Sequence, residues 1–126
     1  METFLDWYES KLQLVSDTCA DPWFAEQLAL SRAGDQDARR RISGSCLRMV
    51  LDMAKRRWRP DSQLSLLEFV EEGNAALIKT IKRFGGSTAS EFLRELTQNV
   101  ESWYRTLLEH PAWARARRDS WDGFKA

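Results

Sequence analysis

The sequence predicts an all-α fold, a compact bundle of about five helices joined by short loops. Three observations carry this expectation. Apolar residues recur at three- and four-residue spacing, and no stretch alternates with period two. Helix boundaries are marked by capping boxes, prolines and glycines at the ends of those periodic stretches. The 126 residues are 43% hydrophobic and 30% charged, enough for one core and too few for a second. The expected division is a single helical domain over residues 1–109, followed by a basic, aromatic tail over 110–126.

The first helix is expected over about residues 3–16, with Leu5, Tyr8, Leu12 and Val15 on one face. Asp21-Pro22 restarts the chain, aspartate as N-cap and proline in the first turn, and Gly34 stops that second helix. Asp35 caps a third helix from Gln36 to about Trp58, whose buried stripe is Ala38, Ile42, Cys46, Met49, Val50, Met53 and Ala54. Pro60 ends it, because proline disfavours helical geometry in the residue before it.

Ser65 and Glu68 form a capping box, so a fourth helix begins at Leu66 and runs to Phe84, before Gly85-Gly86. Its stripe is Leu66, Val70, Leu77, Ile81 and Phe84. Gly73 in mid-helix is unfavourable by about 0.5–1 kcal/mol relative to alanine, which points to close packing there. Thr88 and Glu91 form a second box, opening a fifth helix with Phe92, Leu96, Val100, Trp103 and Leu107 inside and its end before Pro111. Periodicity leaves the tail's structure open.

Enzyme chemistry is not expected. His110 stands alone beside a proline, at a position suited to a cap or surface residue. Cys19 and Cys46 with one histidine match no zinc spacing, and Glu71 and Glu72, adjacent on a helix, do not face each other. No catalytic residue, metal site or cofactor is therefore assigned. The acidic N-terminus lacks a signal peptide's basic start, and no apolar run reaches the roughly 20 residues of a membrane span, so a cytoplasmic, non-membrane protein is expected.

Formal charge is zero, yet it is unevenly placed. Arg41, Arg48 and Lys55 repeat every seventh residue as a basic ridge that could contact nucleic-acid phosphates. Local pairing of Arg48 with Asp52 is the simpler use of that ridge. Leu67, Glu71, Asn74 and Ile78 lie on a flank of the fourth helix, with Glu68 and Glu72 behind them. An acidic ridge edged by two aliphatic side chains is an unusual surface to leave bare.

With these helices placed, residues 34–84 resemble region two of bacterial RNA polymerase sigma factors of the sigma-seventy type. The first stretch is Gly34-Asp35-Gln36-Asp37-Ala38-Arg39-Arg40-Arg41-Ile42, then Cys46-Leu47-Arg48-Met49-Val50 and Ala54-Lys55-Arg56-Arg57. The family has an acidic turn, Asn-Leu-Arg-Leu-Val and Ala-Lys-Arg-Tyr at these places. The second stretch, Leu66-Leu67-Glu68-Phe69-Val70-Glu71-Glu72-Gly73-Asn74-Ala75-Ala76-Leu77 closing with Lys82-Arg83-Phe84, is similar to Leu-Leu-Asp-Leu-Ile-Gln-Glu-Gly-Asn-Ile-Gly-Leu and its basic, Phe-terminated turn.

The resemblance implies a sigma region-two-like fold and docking on the clamp helices of core RNA polymerase. Carried over position by position, the docking residues are Leu67, Glu68, Glu71, Glu72, Asn74 and Ile78. Promoter DNA and an anti-sigma-type regulator are further partners that it leaves open. The pattern departs from the family after Phe84. Aligning the family's Phe-Ser-Thr-Tyr-Ala-x-Trp-Trp-Ile-Arg-Gln run on Phe92 puts Glu95 at the tyrosine, Gln98 and Asn99 at the tryptophans and Glu101 at the arginine. Each lost base–aromatic stack is worth roughly 1–3 kcal/mol, so promoter melting by this chain alone is not expected. The alternative is a helical protein–protein interaction module with a sigma-like fold and a different partner.

Overall fold

The computed structural model describes Asp6 and residues 22–112. Four helices run through residues 22–112: α1 (Trp23–Arg32), α2 (Gln36–Arg57), α3 (Leu66–Arg83) and α4 (Ala89–Glu109). No strand occurs among the described residues, and the all-α expectation holds. The helix expected over residues 3–16 lies outside the described residues except for Asp6, which is helical; Asp21 and the tail beyond Ala112 also lie outside them.

Local chemistry sets each boundary. Gly34 adopts φ 99°, a left-handed conformation that turns the chain out of α1. The Asp35 N–H then donates to the Leu30 carbonyl and the Gly34 N–H to that of Ser31, satisfying groups the helix end leaves open. Asp35 at once caps α2, its carboxylate accepting from the N–H of Asp37 at 2.9 Å and of Ala38 at 3.1 Å. Trp58 is already extended, so α2 stops at Arg57. The Trp58 indole N–H donates to the Leu64 carbonyl at 2.8 Å, which folds the connecting loop back on itself.

Both capping boxes form as expected. Ser65 Oγ accepts from the Glu68 N–H while Glu68 accepts from the Ser65 N–H, and Thr88 and Glu91 repeat the exchange. Hydrogen bonds from the Thr88 side chain, then from the backbone N–H groups of Thr88 and Ser87, hold the Glu91 carboxyl below its ordinary value. A carboxyl whose folded pKa is lowered contributes stability above its unfolded value, 4.5 here, and that contribution is lost as pH falls through the lowered one. Thr88→Ala is therefore expected to lower the Tm near neutral pH. The gap to the unsubstituted chain should narrow below pH 4.5 in circular-dichroism melts.

The helices alternate in direction. Arg39 and Arg41 of α2 donate to Ser31 and Gln27 of α1, in inverse order along the two helices. The start of α2 meets the end of α3, where Gln36, Arg39 and Arg40 face Ile78, Ile81 and Lys82 across a groove. Helix α4 returns along α3 through three polar contacts in inverse register. Asn99 Nδ2 donates to Thr80 Oγ1 at 3.1 Å, Trp103 Nε1 to Glu72 Oε1 at 3.0 Å, and the Tyr104 hydroxyl to the Phe69 carbonyl at 3.2 Å.

One apolar cluster draws on all four helices. Phe24, Phe84 and Phe92 meet at one end, with ring centroids 5.5 Å apart for Phe24–Phe92 and 5.2 Å for Phe84–Phe92. Phe69 stacks on Tyr104 at 4.6 Å further along. The close packing anticipated at Gly73 is present. A Cβ there would fall on the Tyr104 hydroxyl and 2.6 Å from Val50 Cγ1, so α2, α3 and α4 converge on the space a side chain would need.

Burial corrects several expectations. All five expected positions on α4 are buried to within 1%. Met49 is only half-buried, whereas Leu51 and Ser45 of the same helix are buried, because α2 is flanked by more than one neighbour and buries more than one stripe. Phe69 of α3 is fully buried although it stood outside the expected stripe, and Leu66 is half-buried. Glu72, expected on the exposed flank, is buried at 6% exposure beneath the Trp103 indole of α4.

Candidate docking face

Position in a helix decides what each of the six sequence-derived docking residues does. Leu67, Glu71, Asn74 and Ile78 are spaced four, three and four residues apart and lie along one line of α3. Glu71 is exposed, Leu67 and Asn74 are half-buried, and Ile78 is 45% exposed. Leu30, at 41%, and Ile78 are the large hydrophobic side chains most open to solvent among the described residues. Glu68 sits one residue aside, half-buried and engaged in the capping box, where its charge also suits the helix N-terminus.

Glu72 departs from this line. It is one residue beyond Glu71, and a step of about 100° turns it from solvent into the α3–α4 interface. There its carboxylate accepts the indole N–H of Trp103. Glu72 is therefore a buried partner of α4 and not a surface contact, and it leaves the docking set.

The tertiary structure adds residues that linear reading did not connect with this face. Ile78 lines a groove of about 290 Å³ with Ile81 and Lys82 of α3 and Arg39 and Arg40 of α2. Arg39 is braced by Ser31, its Nη2 donating to the Ser31 carbonyl at 3.1 Å, and Arg40 pairs with Asp37 at 3.1 Å on a highly exposed surface. The face is thus bipolar: acidic at Glu68 and Glu71, apolar at Ile78, basic where α2 begins. The cluster of arginines at residues 39–41 was visible in the sequence, but nothing local placed it beside residue 78.

The basic ridge fares differently. Arg41 donates from Nε to Gln27 Oε1 at 2.8 Å, and Arg48 lies 3.4 Å from Asp52, the local pairing that spacing allows. Lys55 is exposed on the same helix. Arg41 and Arg48 are therefore engaged within the chain, which weakens the ridge as a free phosphate-binding surface. Among the described residues the tryptophans follow the core: Trp103 is fully buried, and Trp23 and Trp58 pack against the apolar cluster. His110 caps the end of α4 and is exposed.

Among the described residues no group of three or more His, Cys, Asp or Glu could hold a metal ion. No helix among them is long and apolar enough to cross a membrane. No protein-family model and no solved structure matches the chain.

Proposed function

We propose that this chain is a sigma region-two-like transcription protein of the cytoplasm that docks on core RNA polymerase through Leu67, Glu71, Asn74 and Ile78, with Glu68 at the edge. The observation that carries the reading is the exposure of Ile78 in line with Glu71 on a helix packed elsewhere against the other described helices, α2 and α4 foremost. The Glu-Gly-Asn motif acquires a division of labour. Glu72 and Gly73 hold α3 against α4 and α2, and this orientation leaves Glu71 exposed and Asn74 half-buried beside it. Promoter opening is not part of the proposal, because the tryptophan of α4 is internal and the family's aromatic positions carry Glu95, Gln98 and Asn99.

The test uses purified chain and core polymerase in a co-elution and biolayer interferometry assay. Glu71→Lys combined with Ile78→Glu is expected to weaken binding at least about tenfold, since an apolar anchor and its flanking charge are both reversed. The melting temperature should stay close to that of the parent chain, because both side chains are exposed. Absence of binding by the unsubstituted chain overturns the reading. The basic-rimmed groove beside Ile78 favours one second reading, a helical interaction module whose partner is another protein. In that case the same double variant disrupts a complex that contains no polymerase.

A further inference from the structure

Arg56 and Arg57 end α2, Arg59 lies in the turn that follows, and Arg105 enters from α4. With Leu108 and Glu109 they line a cleft of about 400 Å³. Arg57 is committed, its Nε in an ion pair with Glu101 Oε2 at 2.6 Å that ties the end of α2 to α4. Arg59 lies 3.9 Å from Asp61, a long contact between two highly exposed groups. Arg56 and Arg105 are exposed and form no ion pair or hydrogen bond among the described residues.

Helix-end electrostatics account for part of this arrangement. The C-terminus of α2 carries a partial negative charge of about half a unit, which favours arginines in its last turn. It does not account for Arg105, which another helix brings to the same cleft. Among the described residues the carboxylates on hand are Glu101, already held by Arg57, Asp61 beside Arg59, and Glu109 on the rim, against four arginines, so positive charge remains in excess.

We propose that this cleft binds a small polyphosphate anion, held by Arg56, Arg59 and Arg105. Guanidinium groups present paired N–H donors in a planar fork that matches phosphate oxygens, and each is always charged. Here they converge from a helix end, a turn and a second helix on one volume at the lower end of small-molecule sites. A groove for a nucleic-acid strand would instead spread its cations along a track and offer stacking rings beside them. The cleft shares no residue with the docking face, so its fate is independent of the polymerase proposal.

The experiment is isothermal titration of the full chain with sodium pyrophosphate, then tripolyphosphate, at constant ionic strength. A fluorescein-labelled single-stranded oligonucleotide is followed by anisotropy in parallel. Saturable pyrophosphate binding is expected, weakened at least about tenfold in the Arg56→Ala/Arg105→Ala variant, in which two charge-assisted donors are lost. Arg94→Ala, an exposed cation elsewhere on α4, should leave it unchanged. Circular dichroism should show the double variant folded, and Arg56→Lys/Arg105→Lys, which keeps charge without the fork, should recover only part of the affinity. The proposal is overturned by absence of saturable binding or by equal weakening in Arg94→Ala. Oligonucleotide binding through the same arginines that pyrophosphate cannot displace would assign the cleft to strands and overturn it as well.

Discussion

Trp103→Ala is expected to destabilise the fold by about 3–5 kcal/mol, the largest single effect anticipated in this chain. The ring is fully buried, so its removal leaves a cavity at the α3–α4 interface and takes away the donor to Glu72. Against a total stability of about 5–15 kcal/mol, that loss leaves a marginal or unfolded chain. Trp103→Phe separates the two parts of the effect. It keeps much of the ring volume but removes the N–H that Glu72 Oε1 accepts at 3.0 Å, and about 1–3 kcal/mol is expected. In a Glu72→Gln background the same Trp103→Phe change should cost less, because the group that accepts from the indole is no longer a buried carboxylate. Urea denaturation of the four members of this cycle measures the coupling, and strictly additive losses would show that the carboxylate's charge adds nothing to the Glu72–Trp103 contact.

Gly73→Ala should destabilise by about 1–3 kcal/mol even though alanine is the better helix former by about 0.8–1.0 kcal/mol. The opposing term is steric. The new methyl would occupy the space of the Tyr104 hydroxyl and lie 2.6 Å from Val50 Cγ1, and both of those residues are fully buried. Tyr104 has little freedom to yield, since it stacks on Phe69 and donates to the Phe69 carbonyl. Tyr104→Phe removes the nearest atom and is expected to restore part of the loss when combined with Gly73→Ala. Thermal melts of the single and double variants decide this: an alanine variant as stable as the parent would mean that α3 and α4 are not so closely approached.

The same contacts explain a feature that burial patterns alone leave obscure. The Glu72-Gly73 pair reads as polar and flexible, yet at Gly73 the neighbouring helices leave no room for a side chain. Glycine lets α2 and α4 approach α3, and the approach brings the Trp103 N–H to Glu72. Glu71 before the pair is then directed outward by helical geometry, while Asn74 after it is half-buried with its Oδ1 inside. Any docking role for α3 depends on this anchoring, which sets how far Ile78 stands clear of the body.

Helix ends were legible from residues because capping is local: Asp35, Ser65 with Glu68, and Thr88 with Glu91 each satisfy N–H groups within three residues. The inner face of α4 was legible for a related reason, since most of what it buries falls on one stripe at helical spacing. Phe69, Leu51 and Glu72 escaped that logic. Helices α2 and α3 are packed from several directions, and periodicity marks one stripe without revealing how wide the buried arc becomes. A carboxylate one helical step from the stripe looks exposed until a partner on another helix supplies its hydrogen bond.

The candidate faces divide along the same line. The row from Leu67 to Ile78 follows from helical spacing within α3, so residue order was enough to draw it. The basic groove beside Ile78 and the arginine cleft at Arg105 join residues roughly 40 and roughly 50 positions apart, respectively, and only the packing of α2 against α3 and α4 brings them together. Caps, helix lengths and the exposed row of α3 are properties of short stretches, and the amino-acid order specified them. The burial of Glu72, the contact at Gly73 and the gathering of arginines at one cleft arise between helices, where non-local packing sets which side chains meet and which remain in water.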